Sequence, residues 1–169
     1  MSGIVNVPKK RSFIARGIRK FFEHRAMWMF FLLDEAKKKG LNAGDFAPQA
    51  IRRCGIFQGT QFAKKGRATS LKVLKRKLFK YPGTLVFEMK FGKCSDDNFD
   101  VFFHYCPLVS AWQSQGCNCD EIAALCDYAM CGDRGIAESF GCELDLPKTI
   151  ARGDDCCHIT FKRKKLETD

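Results

Sequence analysis

Apolar residues recur at helical spacing through the first forty positions. Phe13, Ile14, Ile18, Phe21, Phe22, Met29, Leu32 and Leu33 follow Ser12, a residue type that caps helices, and the pattern stops at Gly40. This predicts a helix from Ser12 to about Lys39, with an apolar face wide enough to dock on the rest of the chain. A shorter helix is predicted over about 45–54. The stretch CGIFQGTQFAKKGRATS, with three glycines, then reads as a break in regular structure. It is not a phosphate loop, because it lacks the Gly-Lys-Ser/Thr ending and no strand precedes it. Leu71, Leu74 and Leu78, with Lys and Arg between them, predict a basic amphipathic helix over 69–80.

The pattern changes at Tyr81-Pro82-Gly83. TLVFEMKFG alternates apolar and polar residues, as a half-buried strand does, KCSDDN reads as a turn, and FDVFFHYC reads as an antiparallel partner strand stopped by Pro107. Residues 108–115 read as helical. Asn118 and Glu121 have the spacing of a capping box, ahead of Ile122, Leu125, Cys126 and Ala129 at helical spacing. Gly132 argues for a stop, with a further helical turn or two over 133–140. GCELDLPKTIA and DCCHITFKRK read as two closing strands. The predicted fold class is α+β: long N-terminal helices packed on a small antiparallel sheet of about four strands, with helices between two hairpins. A flexible basic lead-in (1–11) precedes a single domain (12–165), comprising a basic helical part (12–80) and a Cys-rich part (81–165).

Composition adds charge asymmetry and thiols. Of the 169 residues, 46% are hydrophobic, which fits a chain with a real core. The apolar run Ala26–Leu33 is too short to span a bilayer. No secretory pattern is visible, so a cytoplasmic location with reduced thiols is expected, and a disulfide scaffold is the least favoured use of the ten cysteines. Residues 1–93 carry 22 basic and 5 acidic residues, and residues 94–169 carry 7 and 14. The first half therefore presents a basic surface. Solvated helix faces account for it better than nucleic acid does, because no nucleic-acid motif accompanies the charge.

The cysteines admit three uses. No C-x-x-C pair is present, which weakens zinc and iron–sulfur readings. If a metal binds, zinc is the first choice, and Cys106, Cys126, Cys157 and His158 are the ligands to test. Cys54, Cys94, Cys131 and Cys142 read as core residues, with Cys117 and Cys119 partly exposed before a helix. As nucleophiles, Cys106 stands where a strand meets Pro107, with His104 two residues earlier. Cys126 stands seven residues, about two helical turns, before Asp133. From spacing alone each thiol is more readily a core residue than a catalyst. His24 reads as a surface residue.

Three pieces taken in order carry a family resemblance: HYCPLVSAWQSQG, ALCDYAMCGDRGIAESFG and LDLPKTIARGDDCCHITF. They resemble the L-2-amino-thiazoline-4-carboxylic acid hydrolase family. In that family a strand ends in Cys-Pro or a similar pair, and a helix carries Leu-Cys with an Asp several residues later. The last strand reads Gly-Asp-x-x-Cys-x-aromatic-x-Phe. The matching residues are Cys106, Cys126, Asp133, Gly153, Asp154, Cys157 and Phe161, over about 60 residues. Ile159 stands where an aromatic is common, and Cys156 is an extra thiol.

The resemblance implies hydrolysis of a carbon–nitrogen bond, other than a peptide bond, in a small cyclic amidine. It implies Cys106 or Cys126 as nucleophile, Asp133 holding or protonating the ring nitrogen, and His158 or His104 moving the proton. Arg134 or Arg152 would bind a substrate carboxylate beside Gly153, Asp154 and Cys157. No cofactor is required, and a homodimer is compatible with the Phe-rich first helix. The alternatives are a small-molecule or metal-binding sensor module and, less favoured, a nucleic-acid-binding protein.

Overall fold

A computed structural model describes residues 3–63 and 70–164. In chain order the helices are α1 (Phe13–Lys38), α2 (Ala47–Ala63), α3 (Leu71–Leu78), α4 (Gly83–Val86), α5 (Pro107–Ser114) and α6 (Cys119–Ser139). The strands are β1 (Met89–Cys94), β2 (Asn98–Phe103), β3 (Cys142–Lys148) and β4 (Cys157–Arg163). They form one antiparallel sheet in the order β1-β2-β4-β3, so two hairpins join along β2 and β4. The α+β class and the four-stranded sheet agree with expectation.

The caps act as the sequence predicts. The Ser12 side chain accepts from the Ala15 amide, and Asn118 and Glu121 form a reciprocal capping box on α6. Alternation along β2 and β4 sends Phe99, Val101, Ile159 and Phe161 to one face, where they meet Leu71, Leu74, Met130 and Phe140. A second cluster joins α1, α5 and α6 around Trp112, whose indole N–H donates to the Ala26 carbonyl at 3.2 Å.

Several expectations need correction. The glycines of CGIFQGTQFA do not break structure: α2 runs on to Ala63, while residues 64–69 of that stretch lie outside the described residues. Nor does Gly132 stop α6. These glycines are where two helices touch. A Cβ on Gly55 would collide with the Gly132 carbonyl, one on Gly135 with the Arg52 carbonyl, and one on Gly59 would lie 2.6 Å from Ser139 Cβ. The stretch TLVFEMKFG is not one strand, because residues 83–86 make a helical turn after the cis Tyr81-Pro82 bond and β1 starts only at Met89. Between them Glu88, at φ 52°, turns its side chain inward to a buried ion pair with Arg19. The second strand ends at Phe103, so His104 and Cys106 are not on it. Cys54 is exposed and not in the core. In the basic segment before α1, Asn6 and Lys10 hydrogen-bond to Cys106 and Glu88.

Candidate functional site

A cavity of about 250 Å³ lies between the inner face of the sheet, α5, α6 and α1. Its walls are mostly apolar, with Phe22, Phe87, Phe103, Trp112 and Ile159 among them. Among the lining residues are the thiols of Cys106, Cys126 and Cys157, the hydroxyl of Thr149, and Asp133, Arg25 and Gln58. The three cysteines of the sequence motif, far apart in the chain, thus share one chamber with its aspartate. All ten cysteines are unpaired.

Each thiol is placed by a different device. Cys106 is the N-cap of α5, and its backbone is clasped by one side chain: Asn6 Oδ1 accepts from its amide at 2.9 Å, and Asn6 Nδ2 donates to its carbonyl at 2.8 Å. Cys126 projects from α6 and lies 3.7 Å from Thr149 Oγ1. Cys157 opens β4, where its sulfur accepts from the Ile150 amide at 3.4 Å and lies 3.7 Å from the same Thr149 hydroxyl. Thr149 is itself fixed by Asp154, whose carboxylate accepts from the Thr149 amide at 2.7 Å. Gly153, at φ 94°, supplies the left-handed turn that closes this loop. Gly153 and Asp154 therefore shape the site without lining it.

Burial pushes all three thiols up. Cys106 rises furthest, by burial and the neighbouring Cys157 sulfur, despite the Val109 and Leu108 amides. Cys126 is pushed up to about 11 by burial, against the Thr149 hydrogen bond. Cys157 is also raised by burial, but the Ile150 amide and the Thr149 hydroxyl act on it in the opposite direction. A thiol at rest here is protonated; Cys106 and Cys157 each have two donors turned toward a thiolate, and those of Cys157 include the Thr149 hydroxyl.

Asp133 shares the chamber face of α6 with Cys126, because the helix continues through Gly132. Burial pushes its carboxyl up, and Arg25 and Arg134 offset part of that. A second cavity of about 240 Å³ shares Arg25, Gln58 and Asp133 with the first, so these three stand where the two spaces meet. Arg25 is exposed, which puts a cation at the mouth of the chamber.

Other expected residues do not join the cluster. His158 follows Cys157 on β4 and so points to the opposite face of the sheet, where its Nε2 hydrogen-bonds to the Asp100 carboxylate at 3.0 Å and its ring stacks on Phe102. The four-ligand set Cys106, Cys126, Cys157 and His158 therefore does not assemble, and among the described residues no three His, Cys, Asp or Glu groups come together as a metal site. His104 lies past the end of β2 and is not among the lining residues. Arg134 is exposed, and Arg152 is exposed and paired with Asp127. Sequence reasoning missed Arg25, Gln58 and Thr149. Only Thr149 left a local signal, a hydroxyl residue five positions before an Asp at a chain turn.

A search of curated proteins finds no match to this chain. Among solved structures, the chain is similar to a trafficking protein particle complex subunit 3 from Naegleria fowleri, a structure described as covalently bound to palmitic acid. That likeness has 16% identity and a TM-score of 0.52, and covers 85% of this chain and 95% of the other, so it is a likeness of fold. The family profile described as L-2-amino-thiazoline-4-carboxylic acid hydrolase matches residues 19–161. That span takes in the basic helices as well as the Cys-rich half. Arg25, Cys106, Cys126, Asp133, Thr149 and Cys157 all fall within it, and the chain belongs to the L-2-amino-thiazoline-4-carboxylic acid hydrolase family.

Proposed function

We propose that the chamber is a hydrolytic site for a small cyclic amidine carrying a carboxylate, with Cys157 as the attacking thiol. The observation that carries this reading is the convergence of three thiols, Thr149 and Asp133 on one cavity. A cyclic amidine is protonated at neutral pH, and its central carbon, flanked by nitrogen and sulfur, is then electrophilic. The Asp133 carboxylate matches the amidinium in charge and in its paired hydrogen-bond geometry. Arg25, at the mouth, matches the carboxylate.

Cys157 adds through sulfur to the amidinium carbon. The ring carbon–sulfur bond breaks, in place of the carbon–nitrogen bond that the resemblance implies, and the proton from Cys157 passes to the departing sulfur. Water then adds to the enzyme-bound isothiouronium carbon, and the Cys157 sulfur leaves as a thiol. The product is a carbamoyl group on the substrate nitrogen, and Asp133 accepts the proton released from water. In this step the Ile150 amide and Thr149 hydroxyl hold the sulfur as it gains and loses charge.

Hydrolysis of L-2-amino-thiazoline-4-carboxylate releases a free thiol, which a colorimetric assay follows. Cys157→Ser and Asp133→Asn are each expected to lower kcat/KM by about a hundredfold or more. Arg25→Met is expected to raise KM about tenfold with a smaller change in kcat, as expected for lost carboxylate binding. No thiol release from this substrate or its ring homologues would sink the reading. Asp133→Asn has a second expected outcome. Because the folded carboxyl is shifted up, its contribution to stability is present below its unfolded value and is lost as pH rises through the folded one. The variant should therefore melt higher than the parent at neutral pH, and the gain should vanish in acid.

The apolar walls favour a second reading, in which a thiol holds an acyl group as a thioester. It has support in the palmitic acid of the similar fold. Intact mass of the purified protein separates the two: an added acyl mass removed by hydroxylamine would replace the hydrolytic reading with this one.

A further inference from the structure

The inner side of α1 buries Ala15, Arg19, Ala26 and Leu33. Its opposite side is also apolar. Ile14, Phe21 and Trp28 recur every seven residues, with Phe31 and Leu32 one turn on and Phe13 beside the start, so they share one stripe. All six are exposed: Phe13 by 83%, Phe21 by 76%, Trp28 by 62% and Leu32 by 63%. Contiguous apolar surface of this kind marks a contact site.

Charge decides which contact. Lys9, Lys10 and Arg11 precede the stripe, Lys37, Lys38 and Lys39 follow it, and Arg16 and Arg25 lie between. The first forty residues carry ten basic and three acidic side chains. A second copy pairing through α1 would bring like clusters together in either direction. Antiparallel helices set the leading cluster against the trailing one, and parallel helices set each against itself. An anionic bilayer neutralises both ends at once, and aromatic rings with flanking lysines suit the headgroup boundary. Among the described residues no helix is long and apolar enough to cross a membrane, so such a contact lies along the surface.

We propose that the outer face of α1 docks onto an anionic lipid surface through its Phe13–Leu32 stripe, with Lys9, Lys10 and Arg11 at one end and Lys37 and Lys39 at the other on the headgroups, while Lys38 stays paired with Asp34 and Glu35. Arg25 borders this stripe, so the contact would place the mouth of the chamber beside the lipid.

The chain carries its own reporter. Trp28 is exposed, whereas Trp112 is buried with its N–H bonded to Ala26. Full-length protein is mixed with vesicles of phosphatidylcholine alone or with phosphatidylserine added. The expected result is a blue shift of Trp28 emission and quenching by brominated lipid only with the anionic vesicles, weakened by salt. Phe21→Ser/Leu32→Ser should cosediment with those vesicles at least tenfold more weakly. If that variant fails to fold, Lys37→Glu/Lys39→Glu should show the same loss. An unshifted Trp28, equal binding to both vesicle types, or variants that bind like the parent would each overturn the proposal. So would a dimer in solution that shields Trp28, which would assign the stripe to a second copy.

Discussion

Gly55→Ala is expected to destabilise the fold by about 3 kcal/mol, the upper end of overpacking penalties, which is a large share of the ~5–15 kcal/mol that holds a domain together. Glycine in a helix interior is normally a weakness, worth roughly 0.5–1 kcal/mol against alanine. Here the sign reverses, because the added methyl meets backbone. It would collide with the Gly132 carbonyl, which cannot swing aside as a side chain can. The helices α2 and α6 would have to move apart, and α6 carries Cys126 and Asp133 into the chamber. Gly17 provides the control. It lies in α1, exposed, with nothing within 4 Å of an added Cβ. Gly17→Ala should stabilise by about 0.5–1 kcal/mol through propensity alone. Urea unfolding of both variants reads the contrast, and equal effects of one sign would refute the close-packing account.

That pair of glycines also shows why parts of the chain were legible in the sequence and parts were not. The starts of α1 and α6 can be read because Ser12, Asn118 and Glu121 are local signals, acting within one turn. The stretches FDVFFHYC and DCCHITFKRK, which read as strands, take in most of β2 and β4, and that signal is likewise local. The full length of α2 was hidden because a packing glycine and a breaking glycine look the same until the partner helix is known. The start of β1 was hidden for a similar reason: Leu85, Phe87, Met89 and Phe91 alternate, but Glu88 is drawn inward by Arg19, 69 residues away.

At the site, the family motif points to Cys106, Cys126, Cys157 and Asp133, which the fold brings to one cavity. The proton shuttle through His158 failed on strand parity, since neighbours on a strand face opposite sides. On its own face His158 has a structural partner. Burial raises the Asp100 carboxyl, but hydrogen bonds from Thr160 and His158 outweigh it and hold that carboxyl below its ordinary range. Arg25 could not be read at all, because only the docking of α1 brings it to the chamber.

Arg19→Ala is expected to be among the most damaging single changes in the chain, costing about 3–5 kcal/mol, as loss of one member of a buried pair does. Arg19 and Glu88 are 4% and 5% exposed. The guanidinium donates to Glu88 at 3.0 Å, to the Val86 carbonyl at 3.0 Å and to the Lys10 carbonyl at 2.7 Å, and it lies over the Tyr105 ring at 4.3 Å. Removing it takes the ion-pair partner from a buried carboxylate, which keeps only the Lys10 amide, and takes the guanidinium donor from two carbonyls. Glu88→Ala strands the guanidinium but leaves it both carbonyls and the ring, so its cost should be smaller, about 3 kcal/mol at most. The double variant should cost less than the two single changes added, because neither charge then remains unpaired. A double-mutant cycle by chemical denaturation measures this, and strict additivity would show that the two side chains act independently. The pair matters beyond stability. It fixes Glu88 in its left-handed conformation between Phe87 and Met89, which both line the chamber, and Phe87 accepts the Tyr105 amide next to Cys106. Loosening it should therefore open one wall of the cavity. Cys106 should then alkylate faster in Arg19→Ala than in the parent at a temperature where both remain folded, while exposed Cys54 and Cys119 react at unchanged rates.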